Sequence, residues 1–268
     1  MIQGQVIEKV VEYQDNRHAD RYFLYVPVNC VVNAKTLIVV HGVGRRARSS
    51  AEQLVFLAER FGVILLAPLF SEERYPDYQY LGLTGQGERA DHALERIVSD
   101  YITYTGRAAD KLYLFGFSGG AQFAHRFTMA YPERVARLVT GSAGWYTFPD
   151  ESVSFPSGTC FSTSGNDVSM MPERFLKVPA LVFVGERDTE RGKHFHQSAE
   201  VDEQQGTTRV ERGRRWIEAM QSAAKARSMD TEYRYMITSG AGHSLKECMG
   251  LSETGIVAFN FLFGANKE

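Results

Sequence analysis

Five short runs of β-branched and other apolar residues constrain this chain more than anything else in it: Thr36–Val40, Val63–Leu66, Lys111–Phe117, Val135–Thr140 and Ala180–Val184. Runs of this kind, without strict alternation of polar and apolar residues, are strands buried on both faces, the situation in a parallel sheet covered by helices on each side. The segments between them are longer, and several carry apolar residues at helical spacing. That alternation predicts an α/β fold, with a mostly parallel central sheet of about eight strands flanked by helices.

The remaining elements fit the same plan. Val6–Tyr13 and Arg21–Val28, separated by the turn-prone Asp15-Asn16, are short and close enough to form an antiparallel pair. Ser49 and Glu52 match an S-x-x-E capping box at the start of a helix whose stripe is Leu54, Leu57, Ala58 and Phe61, with Gly62 as its stop. Glu88–Tyr104 is predicted as a long helix ended by Gly106, and a further helix runs from Gly119 to Ala130. Helices near Arg212–Ala226 and Glu253–Phe263 enclose a last strand, Glu232–Thr238. Two stretches break the rhythm: 145–179 is rich in Ser, Gly, Pro and aromatics, and 189–208 is polar and charged. Long excursions in compact domains are often functional. Residues 1–268 are read as one domain with both excursions near its site.

Composition excludes several classes of function. A net charge of −2 over 268 residues gives no electrostatic footprint for nucleic acid or an anionic membrane. Cys30, Cys160 and Cys248 are too far apart for a metal-type spacing and are read as reduced thiols. Met1–Gln5 has no basic stretch leading into an apolar one, and no apolar run approaches the roughly 20 residues of a membrane helix. A cytoplasmic protein is the expectation.

The chemistry is concentrated at four loops. Gly116-Phe117-Ser118-Gly119-Gly120 matches G-x-S-x-G, directly after an apolar strand and before a helix-compatible segment. A nucleophile on so tight a turn has a strained backbone, and the small residues around it prevent collision with neighbouring segments. His41-Gly42-Val43-Gly44 follows the third strand, and C-terminal strand ends share one edge of a parallel sheet. Gly42 and Gly44 allow close backbone approach, so the N–H groups of Val43 and Gly119 are the expected oxyanion hole. His41 is expected to orient that loop through hydrogen bonds. Asp188, in Gly185-Glu186-Arg187-Asp188 after another strand, is the candidate acid, with Glu186 and Asp167 as competitors. His243, in Gly240-Ala241-Gly242-His243-Ser244 after the last strand, is the candidate base.

The order Ser118…Asp188…His243 is the one expected of an α/β-hydrolase triad. In that arrangement His243 takes the Ser118 proton and later gives it to the leaving group, while Asp188 fixes the imidazole tautomer. With Arg21-Tyr22-Phe23-Leu24-Tyr25-Val26-Pro27, His41-Gly42 and Gly116–Gly120, the chain resembles the poly(3-hydroxybutyrate) depolymerase and feruloyl-esterase-like branch of the α/β-hydrolase superfamily. The resemblance implies a serine esterase acting on a small-molecule ester without a cofactor. A peptidase or amidase with the same triad, and a non-catalytic binding protein of the same fold, are the alternative readings.

Phe117, Tyr78, Tyr80, Trp145, Tyr146 and Arg45 are candidates for the substrate pocket. The aromatic residues either wall a pocket or pack onto the domain. Arg45 either attracts a carboxylate-bearing substrate or belongs to a solvated charged face with Arg46 and Arg48. His194 and His196 alternate as a metal pair would, without a third ligand nearby, so no metal is expected.

Overall fold

The computed structural model describes residues 2–12, 19–161, 167–250 and 253–264. Its centre is one eight-stranded sheet. In chain order the strands are β1 (Val6–Glu12), β2 (Ala19–Tyr25), β3 (Thr36–Val40), β4 (Ile64–Leu69), β5 (Leu112–Phe117), β6 (Val135–Gly141), β7 (Ala180–Gly185) and β8 (Tyr233–Thr238). They lie in the order β1-β2-β4-β3-β5-β6-β7-β8. β1 and β2 are antiparallel, β2 is antiparallel to β4, and every pairing from β4 to β8 is parallel. Tyr13 and the Asp15-Asn16 turn lie outside the described residues.

Alternate residues of each buried strand serve two cores. Ile38 and Val40 face one, with Leu94 and Ile97 of α3 (Ala90–Thr105), Phe123 of α4 (Gly119–Ala130) and Trp216 of α7 (Arg209–Ala226). Leu37 and Val39 face the other, with Ala51 of α1 (Ala47–Glu52), Leu57 of α2 (Val55–Phe61) and Phe259 of α9 (Glu253–Phe263). The period of two in a strand divides its side chains between the layers, and helices shield both. Three further short helices, α5 (Pro172–Phe175), α6 (Ala199–Gln205) and α8 (Leu245–Met249), lie in the connections.

Three boundaries differ from the sequence expectation, each for a local reason. Ser49 and Glu52 do not form a capping box, because α1 has already begun at Ala47 and the chain re-starts as α2 after Leu54. Glu52 instead faces Arg48 one turn back at 3.7 Å. β4 runs past Pro68, where a strand would be expected to stop. Its β3 partner has left after Leu66, so the missing N–H of Pro68 costs that side no ladder bond. The penultimate long helix starts at Arg209 rather than Arg212. Thr208 and Glu211 close a reciprocal capping box there, the T-x-x-E equivalent of the signal assigned to Ser49.

Candidate active site

Parallel β3, β5, β7 and β8 bring their C-terminal ends to one edge, and each delivers one part of the site. Ser118 forms the joint between β5 and α4 with φ 57° and ψ −118°, a left-handed conformation that a non-glycine residue holds only when its surroundings impose it. The glycines around it impose it. A Cβ on Gly116 would collide with the backbone of Gly120, and one on Gly120 with the carbonyl of Val40. On Gly119 it would lie 2.6 Å from the Tyr78 hydroxyl and 2.9 Å from both Gln79 Nε2 and Val43 Cγ1. The motif lets three segments close on the nucleophile, and any side chain would push them apart.

His243 and Asp188 complete a continuous hydrogen-bonded line. His243 Nε2 is 3.0 Å from Ser118 Oγ, and His243 Nδ1 is 2.7 Å from Asp188 Oδ2. Asp188 is buried, at 2% exposure, so its carboxylate meets protein groups rather than bulk water. Its other oxygen, Oδ1, accepts a hydrogen bond from Arg209 Nη1 at 3.1 Å. Glu186 is turned away, accepting from Ser239 Oγ and the Gly240 N–H, and Asp167 pairs with Arg89 at 2.8 Å. Among the three acids the sequence offered, Asp188 is the one against the imidazole. The line can lower the cost of removing the Ser118 proton and stabilise the imidazolium that forms.

The β3 loop lies across from this line. Val43 lines the same cleft as Ser118, and Gly119 opens α4, where backbone N–H groups have no intrahelical acceptor. A Cβ on Gly42 would stand 3.6 Å from Ser118 Cβ, which measures how closely this loop approaches. Gly44 follows, where a Cβ would stand in ordinary contact with the Arg46 side chain at 3.6 Å. His41 is fully buried: its Nδ1 bonds the Gly42 carbonyl at 2.9 Å and its Nε2 accepts the Phe70 N–H at 3.0 Å. Burial, with Arg45 nearby, brings its pKa down to about 4, so at neutral pH the ring is uncharged and able to accept.

The cleft itself has a volume of about 640 Å³. Beyond the triad and Val43, its walls come from Arg187, Arg209, Gly242 and Glu247 and from Glu190, Gly192, Lys193 and His194. None of the six pocket candidates lines it. Phe117 packs under the His243 ring at 5.1 Å between centroids. Tyr78 is buried, donates to the His41 carbonyl, and lies under the Arg45 guanidinium at 4.3 Å. Arg45 spends its donors on the carbonyls of Phe70, Tyr75 and Pro76, which leaves it a loop clamp rather than part of an exposed charged face. Tyr146 is buried against Trp216 and His125. Tyr80 and Trp145 do meet solvent-facing space, but in a recess beside the cleft.

The cleft wall is built by the 189–208 excursion, which the sequence placed near the site without naming its lining residues, and it is held by arginines. Arg212 is fully buried and donates to the carbonyls of Gly144, His196 and Gly206 while pairing with Asp202 at 2.6 Å. It thereby joins the 189–208 excursion to Gly144, next to the start of the other. Gln205 clamps the other excursion, bonding the N–H and carbonyl of Tyr146. His196 stacks on Trp145 at 4.1 Å, so the two histidines are wall components. Among the described residues no group of three or more His, Cys, Asp or Glu is placed to hold a metal. Nor is any helix among them long and apolar enough to cross a membrane.

No family model matches the chain. Acetylxylan esterase A of Aspergillus ficuum is 24% identical over 195 residues, covering 67% of this chain and 60% of that protein. The chain thus spans less than two thirds of the length of that relative. Among solved structures, poly(aspartic acid) hydrolase-1 from Sphingomonas sp. KT-1 superposes with a TM-score of 0.79 at 21% identity, covering 97% of this chain and 99% of that one. LpqC, a poly(3-hydroxybutyrate) depolymerase from Bordetella parapertussis, gives 0.78 at 22% identity, covering 98% and 90%. Strand order, the nucleophile turn and these superpositions together establish that the chain has the α/β-hydrolase fold.

Proposed function

We propose that this protein is a serine hydrolase that cleaves carboxylic esters through an acyl-enzyme on Ser118. One observation carries the reading: the unbroken line Ser118 Oγ–His243 Nε2, His243 Nδ1–Asp188 Oδ2, at 3.0 and 2.7 Å. In the first half-reaction His243 accepts the Ser118 proton as Oγ adds to the ester carbonyl. The oxyanion is received by the N–H groups of Val43 and Gly119, each worth about 3 kcal/mol of transition-state stabilisation. Collapse of the tetrahedral intermediate breaks the C–O bond, and His243 returns the proton to the departing alcohol. Water, deprotonated by the same imidazole, then attacks the acyl carbon, and Ser118 leaves with the proton. The names of two of the three relatives reported above point the same way, an acetylxylan esterase and a poly(3-hydroxybutyrate) depolymerase.

We read the chain as one domain, because Arg212 and Gln205 tie both excursions to the sheet edge that carries the triad. A reducing, cytoplasmic setting suits three cysteines that form no disulfide. The test is covalent. A fluorophosphonate probe is expected to add one phosphonyl group, located by peptide mass spectrometry on Ser118 and absent from Ser118→Ala. Labelling elsewhere, or none, would remove the proposal's basis.

A further inference from the structure

Beside the catalytic cleft lies a second recess of about 280 Å³, walled by Gln79, Tyr80, Gln122, Trp145 and residues 193–197. Lys193 and His194 belong to both walls, so the two spaces adjoin. Gln79 marks how near they are, for its Nε2 reaches within 2.9 Å of where a Cβ on Gly119 would be, next to the nucleophile. Among the described residues the lining contains a lysine, two histidines and three glutamines, and no carboxylate.

A buried cation stands directly behind that wall. Arg126 of α4 is fully buried and makes its hydrogen bonds to neutral groups: Thr147 Oγ1 at 2.9 Å, the Gln79 carbonyl at 2.8 Å and Gln122 Oε1 at 3.5 Å. Its guanidinium carbon lies 4.9 Å from the ring centres of both Tyr80 and Trp145. Four wall residues therefore touch it. Among the described residues its Nη2 has no hydrogen-bond partner. Burial brings its pKa down only to about 10, so it is charged at neutral pH. An arginine out of water without a counter-ion is costly, and proteins rarely leave one so.

The other side of the recess has the same sign. Phe195, in the lining, faces the guanidinium groups of Arg191, Arg209 and Arg212 at 5.5, 4.9 and 3.9 Å. Asp202 is shared by Arg191 and Arg212, and Asp188 is engaged by Arg209, which leaves these five groups one positive charge in excess before Lys193 is added, with Glu190 on the adjoining cleft wall. His196 is held below its ordinary pKa by burial first and then by Arg212 and Arg126, so it adds a neutral surface stacked on Trp145.

We propose that this recess is a carboxylate subsite: an ester whose acyl or alcohol part ends in a carboxylate seats that group against Gln79, Gln122 and Lys193, above Arg126, while its scissile carbonyl lies at Ser118. The Gln122 amide suits the task, since its oxygen is turned to Arg126 and its NH₂ is left to donate. A carboxylate there supplies the counter-ion that Arg126 lacks, and charge-assisted bonds to it are the strong kind. The preferred substrates are thus half-esters of small dicarboxylic acids, or esters of hydroxy acids.

The catalytic part of this inference rests on the serine-hydrolase reading, and the experiment separates the two. The p-nitrophenyl half-ester of glutaric acid is compared with p-nitrophenyl valerate, its neutral counterpart, on wild type, Lys193→Glu and Arg126→Met. Wild type is expected to favour the half-ester at least tenfold in kcat/KM, and each folded variant to lower that ratio tenfold or more. Lys193 is exposed, so its variant reports even where Arg126→Met fails to fold. A wild-type ratio near or below one, with valerate turned over through Ser118, overturns the subsite and leaves the hydrolase standing. If neither ester is cleaved the hydrolase reading falls, and calorimetry with glutarate decides the subsite: binding to wild type that Lys193→Glu loses supports it, and absence of binding overturns it.

Discussion

Arg209 holds the oxygen of Asp188 that His243 leaves free. The guanidinium and the carboxylate, at 8% and 1% side-chain exposure, meet at 3.1 Å, and the same Nη1 also reaches the Glu190 carbonyl. Arg209 is the first residue of α7, whose start is fixed by the Thr208–Glu211 capping box. The orientation of the acid thus depends on where a distant helix begins. Replacing Arg209 by Met removes one partner of a buried ion pair, a change that costs about 3–5 kcal/mol in such settings. The variant is expected to lose kcat by about 10- to 100-fold with KM little altered, because its guanidinium touches the acid and not the scissile bond. Steady-state kinetics at neutral pH check this, and a normal kcat would reduce Arg209 to a packing residue.

Asp188→Asn preserves the shape of the carboxylate and removes its charge. The amide presents an NH₂ to one of its two present donors, His243 or Arg209, and favours the wrong imidazole tautomer. Turnover should fall roughly 10⁴-fold, the scale seen when a triad acid is neutralised. Circular dichroism should be unchanged. Near-normal turnover would pass the role to another acid, although Glu186 and Asp167 would each have to abandon their present partners to take it.

The glycines around Ser118 separate activity from folding. Alanine at Gly119 meets mainly side-chain atoms, of Tyr78, Gln79 and Val43, which can yield by a few tenths of an ångström. Gly119→Ala should fold and lose about 100-fold in kcat, since the loop carrying one oxyanion donor is displaced. Alanine at Gly120 meets the backbone of Val40 and His41 inside the sheet edge, where nothing can yield cheaply. Gly120→Ala should give little folded protein. Expression and thermal melting of the pair, beside esterase assays, decide it, and equal behaviour of the two would contradict this account of the turn.

Acid should destabilise the fold through its buried histidines. His41 falls from an ordinary value of 6.5 to about 4, and His125 well below 6.5, both chiefly through burial. A histidine whose folded pKa is depressed binds its proton more tightly in the unfolded chain. Its contribution is therefore complete above pH 6.5 and is lost as pH falls towards 4. For His41 alone the difference is about 3 kcal/mol. The rings also accept the N–H groups of Phe70 and Thr147, bonds that protonation would abolish. Urea midpoints should drop steadily from pH 7 to 4.5, and more weakly in His125→Gln. A flat profile would contradict the neutral, accepting state assigned to both rings.

Local pattern was enough to single out the candidate site residues that sit on tight turns. Ser118 is flagged by glycines two residues either side, His243 by the glycines before it, and Asp188 by its place after a buried strand. The walls were not legible, because they depend on contacts between residues far apart in sequence. Lys193 and His194 reach the cleft only because Arg212 pins their segment to Gly144 and Gly206, and a sequence shows neither the pin nor its direction. Tyr78 and Arg45 had the right composition for a pocket, yet their polar atoms are taken by backbone carbonyls of the loops they hold. The helix start at Arg209 was readable, through Thr208-x-x-Glu211. At Ser49-x-x-Glu52 the same pattern falls inside a helix, so the motif informs only where the chain before it is extended.

The central claim is that Ser118 is the nucleophile of an ester hydrolase. Its most direct test is the hydrolysis of a short-to-long p-nitrophenyl ester series by wild type and Ser118→Ala, with His243 and Asp188 left in place. Wild type should turn over the esters, and the variant should fall to the background of uncatalysed hydrolysis for every chain length. Turnover that survives in Ser118→Ala would contradict the mechanism, and an inactive wild type would contradict the assignment as an esterase.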